Sequence, residues 1–114
     1  QSATAIGQSA FAFCASLKTI TIPESVTTIE DRAFLKCSSL ASIAIPQSVT
    51  AIGVSAFDGC MSLASIAIPD SVKLIGDCAF ANCKSLESIT IPESLRGDGM
   101  RAFDDNLRVI IQHV

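Results

Sequence analysis

Cysteine is the residue type in this sequence that could bind a metal, form a disulfide or act as a nucleophile. Four of the five cysteines stand at a fixed interval. They are separated by 23 residues each: Cys14, Cys37, Cys60 and Cys83. Zinc sites use Cys and His ligands grouped about two to five residues apart. The interval here is far longer, and the single histidine, His113, lies close to the last residue. We therefore predict no metal site.

The equal interval favours buried free thiols over disulfides. If each interval is one turn of a coiled fold, equivalent cysteines lie on adjacent coils about 4.8 Å apart, which fits the Cα spacing of a disulfide. Their Cβ vectors would be parallel, however, and would not give the disulfide torsion of about ±90°. We therefore predict a column of free thiols that faces the core. Asn106 stands at the equivalent position in the last repeat, and both side chains are short enough to hydrogen-bond to neighbouring backbone.

Cys78 stands outside this column. Its equivalents are Ser9, Arg32, Ser55 and Arg101, which are polar, so we predict that Cys78 is an exposed thiol. A chance substitution is the simpler interpretation. A reactive thiol that bonds to another chain is the alternative, although nothing nearby in the sequence predicts a lowered pKa.

No set of residues predicts catalysis. A Ser–His–acid arrangement needs a histidine held by an acid, and His113 is the only histidine. The serines repeat in two columns, which favours hydrogen bonds to local turn backbone over a nucleophile that is needed once: Ser16, Ser39, Ser62, Ser85 and Ser25, Ser48, Ser71, Ser94. No glycine-rich phosphate loop and no paired acids stand out. We predict no enzyme activity and no cofactor.

Composition restricts the partners. The chain has 114 residues, of which 49% are hydrophobic, and a net charge of −3. No run of basic residues is present, so we predict no nucleic-acid binding. No apolar run approaches the roughly 18 residues of a membrane span, so we predict no membrane insertion.

The cysteine interval belongs to a repeat of the whole sequence. Four further columns recur every 23 residues: Phe11, Phe34, Phe57, Phe80, Phe103; Leu17, Leu40, Leu63, Leu86; Pro23, Pro46, Pro69, Pro92; and Ile6, Ile29, Ile52, Ile75. A unit of this length cannot bury its apolar side chains alone. Stacked units can, because each coil covers the next.

Local patterns assign elements within each repeat. The LxSIxI segment alternates with period two, which is typical of a half-buried strand, and equivalent strands must be parallel. The following proline ends that strand. The SVTxIG segment alternates again, with Val26 and Ile29 inward, and Gly7, Gly53, Gly76 and Gly99 mark a turn for which a positive φ is one reason. AFxxC is long enough for one helical or 3₁₀ turn.

The pattern LxxIxIPxSVxxIGxxAFxxC resembles the BspA-like leucine-rich repeat family of bacterial and protozoan surface antigens, over roughly residues 2–92. The resemblance implies a right-handed leucine-rich-repeat solenoid, mostly β, of about five coils. A parallel sheet would form the concave side, with short strands and 3₁₀ or helical turns on the other side. It also implies adhesion and partner binding at a cell surface, in the outer envelope or after secretion.

We predict one leucine-rich-repeat domain over residues 1–114, with a partial first coil (1–16), regular coils (17–92) and a degenerate last coil or cap (93–114). The last segment, LRVIIQHV, keeps strand character but loses the register. The sequence begins in mid-repeat without a polar cap, so we expect a fragment of a longer array or a first coil that meets another molecule.

The outward side chains of the LxSIxI segments are candidates for partner binding. They are small and nearly uncharged: Lys18, Thr19, Thr21, Ser42, Ala44, Ser65, Ala67, Glu87, Ser88 and Thr90. They form either a plain solvated sheet or a docking surface for a protein partner. They include no large anchor, so we expect no high affinity from this face alone.

Exposed apolar residues give a second candidate contact. Phe13 replaces polar or small equivalents, and Leu35 follows on the adjacent coil. The two residues form a small patch, or Phe13 covers the open N-terminal end. The first coil lacks a cap, and its strand edge near Thr19 would present unpaired backbone groups. We therefore predict weak self-association through the N-terminal end, with Phe13 in or beside the contact. Polar equivalents are likewise replaced at Val54, Met61, Leu74 and Met100.

These features predict a non-enzymatic protein-interaction module, part of a surface or secreted adhesin-like protein. The alternative is a structural spacer, or scaffold repeat, with no ligand of its own.

Overall fold

The computed structural model of the protein describes residues 5–95, 102–103 and 108–112. The sequence predictions for Gly99, Met100, Arg101, Asn106 and His113 lie outside the described residues. The elements in chain order are β1 (Ala5–Ile6), β2 (Thr19–Thr21), β3 (Thr28–Ile29), β4 (Ser42–Ala44), β5 (Ala51–Ile52), β6 (Leu74–Ile75), β7 (Ser88–Pro92), a 3₁₀ helix (Glu93–Leu95) and β8 (Arg108–Gln112).

The strands pair in parallel, as the repeat predicts. The outer sheet, formed by the SVTxIG segments, has the order β1-β3-β5-β6. Its register places Ile6 beside Ile29, Ile29 beside Ile52 and Ile52 beside Ile75. Each step is one repeat, so the predicted leucine-rich-repeat solenoid, mostly β, is confirmed.

The concave face, formed by the LxSIxI segments, is less continuous than the repeat suggests. β2 pairs with β4, and β7 pairs with β8. Between them the third segment contributes one bridge, from Ala67 to Thr90. The last pair places Ser88 beside Arg108, a step of 20 residues (108 − 88) instead of 23. The end of the chain therefore keeps strand character and loses the register, as its sequence predicts.

The segment after the outer sheet is a run of turns instead of the expected helical or 3₁₀ turn. The N–H groups of Arg32, Phe34 and Lys36 donate to carbonyls of the next coil, those of Val54, Ala56 and Asp58, at 2.7 to 2.9 Å. The intervening N–H groups donate to the carbonyl three residues back. In a helix all N–H groups point the same way along the axis. Alternation of local and inter-coil bonds instead ties each turn to its neighbour.

Phenylalanine forms the centre of the core. Successive rings of the Phe column stack with centroids 5.1 to 5.8 Å apart. Phe34, Phe57 and Phe80 are fully buried, whereas the terminal rings of Phe11 and Phe103 are half-buried. The inward Ile, Leu, Val and Cys columns surround this stack. The predicted core columns are thus confirmed.

The glycine column has a different role from the one suggested by its turn position. Gly7, Gly53 and Gly76 do not have positive φ; among the described glycines Gly59 does, at 81°. A Cβ at Gly53 would lie 2.5 Å from the backbone nitrogen of Asp31, and one at Gly76 would overlap the backbone of Val54. Close approach between coils therefore requires glycine there.

Candidate partner-binding surfaces

The concave face presents small side chains to solvent. All ten residues predicted for this surface are exposed except Ser88 and Thr90, which are half-buried. The strand register brings Thr19 beside Ser42 and Thr21 beside Ala44. Lys18 and Glu87 lie at opposite ends of one column, three repeats apart. The surface is therefore nearly uncharged at its centre.

The strands hold this surface by burying every second residue. Ile43, Ile66 and Ile89 point inward and are buried, so their neighbours in sequence must point outward. A shallow depression of about 510 Å³ lies where the strand pairing is interrupted, lined by residues such as Ala44, Ser65 and Thr90. Small side chains there allow a partner backbone to approach closely.

The cysteine column serves packing. Cys37, Cys60 and Cys83 are buried free thiols, whereas Cys14 is half-buried. The Sγ of Cys37 donates to the Phe11 carbonyl at 3.0 Å, and Cys60 and Cys83 make the equivalent bonds at 3.3 and 3.2 Å. Each thiol thus binds backbone of the preceding coil, as a short donor at this position predicts.

Burial also makes Cys37 and Cys60 poor nucleophiles. Desolvation raises the pKa of Cys37. It raises the pKa of Cys60 further, and the neighbouring Cys83 and Cys37 add to that effect. The thiolate is the reactive form of cysteine, so these groups stay protonated and unreactive near neutral pH.

Two positions per repeat adopt left-handed backbone, which the sequence did not reveal. One column contains Ser9, Arg32, Ser55 and Cys78, with φ between 56° and 60°. The thiol of Cys78 is exposed. The other column contains Phe13, Lys36, Gly59 and Asn82, with φ between 56° and 81°. Only Gly59 and Asn82 are residue types that favour this region.

Two serines of the repeating columns bond between coils instead of within local turns, which corrects the sequence interpretation for those two residues. The Ser71 hydroxyl donates to the Val49 carbonyl at 2.7 Å. The Ser62 hydroxyl donates to the Ser38 carbonyl at 2.8 Å. The Ser48 hydroxyl is buried without a hydrogen-bond partner.

Phe13 and Leu35 are adjacent but differ in environment. The Phe13 N–H donates to the Leu35 carbonyl at 2.7 Å. Phe13 is 66% exposed, whereas Leu35 is half-buried. The Phe13 ring instead borders a flank groove of about 570 Å³, which we define by Phe13, Lys36, Asp58, Met61, Asn82 and Lys84. The sequence identified Phe13 and Met61, because they replace polar residues of other repeats. It gave no sign that these two side chains share a groove with Lys36, Asp58 and Lys84.

The outer sheet carries another apolar depression, of about 410 Å³. Leu74 and Val54, both exposed, lie along it. Within the described ranges no group of three or more Cys, His, Asp or Glu side chains could hold a metal ion. Nor does that part of the chain contain a helix long and apolar enough to cross a membrane.

The repeat geometry has a direct counterpart among known families. A family model described as a BspA type leucine rich repeat region matches residues 1–111 in six copies. The chain belongs to the BspA-type leucine-rich repeat family. No curated protein matches it.

Solved structures of other leucine-rich repeat proteins share this fold. A leucine-rich repeat protein from Bacteroides ovatus is 33% identical over 96% of this chain, with a TM-score of 0.87. A leucine rich cell surface protein from Faecalibacterium prausnitzii is 33% identical over 97% of the chain, with a TM-score of 0.81. The T. pallidum leucine-rich repeat protein TpLRR is 27% identical over 95%, with a TM-score of 0.68, and the chain covers 66% of it. The BspA-type chain spans 28% and 30% of the first two proteins.

Proposed function

We propose that this BspA-type chain is a non-enzymatic protein-interaction module of an adhesin-like protein at the cell surface, in the outer envelope or secreted. The observation that carries the proposal is the concave face. Its exposed small side chains lie in strand register at Thr19–Ser42 and Thr21–Ala44, above a fully apolar inner layer. The Faecalibacterium relative is a cell surface protein, which supports the location.

The side chains that could do chemistry have other roles. The buried cysteines donate to backbone carbonyls, and the hydroxyls of Ser62 and Ser71 do the same between coils. An extended segment of a partner protein fits the concave face, because small side chains admit the close approach of another backbone. Affinity should be modest, since no aromatic or arginine anchor is present.

Binding to immobilised extracellular-matrix and serum proteins tests the proposal. The chain should bind at least one of them saturably in an optical biosensor. The double variant Ala44→Arg/Ala67→Arg should lose that binding, because both residues are exposed on the concave face. Gln47→Arg, at an exposed position outside the strand β4, is the matched control and should bind normally.

A structural spacer is the second candidate. The inter-coil hydrogen bonds and the continuous Phe stack suit a stiff rod. A spacer should bind none of the immobilised proteins, and that result would replace the interaction module with the spacer. Binding that is unchanged by the concave substitutions would instead contradict the concave face as the contact surface.

A further inference from the structure

The flank groove crosses four repeats on a surface separate from the concave face. Phe13, Lys36 and Asn82 occupy one column of it, at equivalent positions of different repeats. Met61 and Lys84 occupy a neighbouring column. The groove therefore combines two exposed apolar side chains with two lysines.

Phe13 is an unexpected residue at its position. Its φ is 64°, in the left-handed region that bulky side chains disfavour. Of the equivalent positions, Gly59 and Asn82 hold residues that tolerate this region, whereas Lys36 at φ 56° does not. The ring of Phe13 is 66% exposed, and Met61 is 44% exposed. Neither the backbone nor core packing therefore accounts for an aromatic side chain here.

The charges of the groove are unbalanced. A Cβ at Gly59 would lie 3.0 Å from Cγ of Lys36, so the lysine stem rests across the glycine. The one carboxylate, that of Asp58, accepts a hydrogen bond from Asn82 Nδ2 at 3.0 Å. Two lysines, Lys36 and Lys84, stand against this one carboxylate, so the groove has a local excess of positive charge. The net charge of the whole chain is −3.

We propose that the flank groove binds an extended acidic peptide segment of a partner protein. Its apolar side chains contact Phe13 and Met61, and its carboxylates pair with Lys36 and Lys84. Ring centroids of successive coils are 5.1 to 5.3 Å apart along most of the Phe stack. Lys36 and Lys84 are two repeats apart, so their positions are separated by about 10 Å along the solenoid axis. Carboxylates two to four residues apart on one side of an extended chain span about 7 to 13 Å.

The apolar pair favours a peptide over an anionic polysaccharide. Burial of Phe13 and Met61 removes apolar surface from water only if the partner is itself apolar at that point. A sulfated polysaccharide supplies the charge without aliphatic side chains. Binding here and binding on the concave face can be measured independently, because they use different residues.

Fluorescence anisotropy with labelled nine-residue peptides tests the proposal on the chain of residues 1–114. A peptide that combines Asp or Glu with Leu should bind saturably and weaken with added salt. The same peptide with Lys in place of the acids should not bind. Lys36→Gln/Lys84→Gln should lower the affinity about fivefold to tenfold, because two exposed ion pairs are lost. Lys73→Gln, which removes an exposed lysine outside the groove, should not change the affinity.

Phe13→Asn separates this role from a structural one. The substitution introduces a residue type that tolerates positive φ better than phenylalanine, so the melting temperature should stay equal or rise. The affinity for the acidic peptide should nevertheless fall severalfold. Equal binding of the acidic and lysine peptides, or no effect of the double lysine variant, would overturn the proposal. So would heparin binding in preference to the peptide without any effect of Phe13→Asn, since the site would then be a polyanion site.

Discussion

At the scale of single residues, the polar and thiol side chains of the repeat mainly join one coil to the next. Cys60 donates to the Phe34 carbonyl of the preceding coil, and the Asp31 carboxylate accepts from the Val54 N–H at 2.9 Å. The Phe34 carbonyl already accepts from the Cys37 N–H at 3.2 Å, so the thiol of the next coil supplies a second hydrogen bond to it. The same residues in four consecutive repeats therefore indicate a structural contact and not a repeated reactive group.

The buried thiols should make stability sensitive to alkaline pH. The folded-state pKa values of Cys37 and Cys60 lie above their ordinary value of 9.0, so above that pH the unfolded chain binds fewer protons than the folded chain. Stability from these groups is complete below about pH 9 and falls as pH rises. Urea unfolding with reductant at pH 7.5 and 10 should show this fall.

The variant Cys37→Ala/Cys60→Ala is the control for this alkaline loss. It should be less stable at pH 7.5, because one buried and one partly buried hydrogen bond are removed. Its further loss between pH 7.5 and 10 should be smaller than that of the parent chain. An equal loss in both proteins would assign the pH dependence to other groups.

The glycine column gives a second prediction at this scale. Gly53→Ala and Gly76→Ala should each cost about 1 to 3 kcal/mol, because the new methyl group meets backbone atoms of the preceding coil. Gly7→Ala should cost much less, since no atom lies within 4 Å of its Cβ position. Denaturant unfolding of the three variants measures the difference. Similar losses at all three positions would mean that flexibility, and not close approach, explains the column.

The sequence predicted which side chains are buried better than it predicted backbone conformation. The Phe and Cys columns are apolar in every described repeat, so their burial follows from periodicity alone. The left-handed positions could not be found in this way. Ser9, Arg32, Ser55 and Cys78 share positive φ, yet none is glycine or asparagine. Inter-coil hydrogen bonds, such as that from the Ser9 N–H to the Asp31 carbonyl, impose the conformation.

At the scale of elements, two short strands per repeat were predicted, but their relative continuity was not. The outer sheet extends through four strands of two residues each. The concave strands have the stronger alternating pattern, yet their pairing is interrupted at Ser65 and Ile66. Sequence periodicity predicts whether each side chain points inward or outward. It does not predict the small shifts between neighbouring coils on which continuous strand pairing depends.

The stacking of elements predicts a graded loss of stability along the Phe column. Phe57 stacks at 5.1 Å on both sides and is fully buried, so Phe57→Ala should cost about 3 to 5 kcal/mol. Phe11 and Phe103 are half-buried and have one described ring neighbour each. Phe11→Ala and Phe103→Ala should cost about half as much.

Equilibrium unfolding in guanidinium chloride compares these three variants directly. Ile66→Ala, another substitution at a buried central position, should resemble Phe57→Ala more than the terminal variants. Equal losses at the centre and at the ends would contradict a stack in which each coil is stabilised by its neighbours.

At the scale of the whole molecule, the outermost described turn, residues 5–23, exposes part of the core. Phe11, Cys14, Leu17 and Ile20 are half-buried, whereas their equivalents one repeat later are buried. The carbonyls of Asp31, Ala33 and Leu35 accept hydrogen bonds from the preceding coil. Their equivalents in Gln8, Ala10 and Ala12 accept none from the described residues. This edge therefore exposes part of the core together with backbone carbonyls that have no inter-coil donor among the described residues.

The edge leads us to propose that the 114-residue chain self-associates weakly through the turn formed by residues 5–23. The strand β2 pairs with β4 on one side and with no described strand on the other. Such an edge is a template for another strand, and the half-buried apolar side chains supply the contact. The end of one thin coil buries far less than the roughly 1,600 Å² of a standard interface, so dimers should form only at high concentration. Sedimentation velocity over a hundredfold range of concentration measures this equilibrium.

Two substitutions in β2 distinguish the edge from the concave face as the site of self-association. Ile20→Lys places a charge within the exposed core of the edge and should shift the chain to monomer. Thr21→Lys adds the same charge at an exposed concave position and should leave the dimer intact. Phe13→Ser should weaken the dimer as well if the Phe13 ring lies beside the contact. A monomer at every concentration would refute self-association. A dimer that is lost with Thr21→Lys and kept with Ile20→Lys would place the contact on the concave face, where two sheets of small side chains can approach each other.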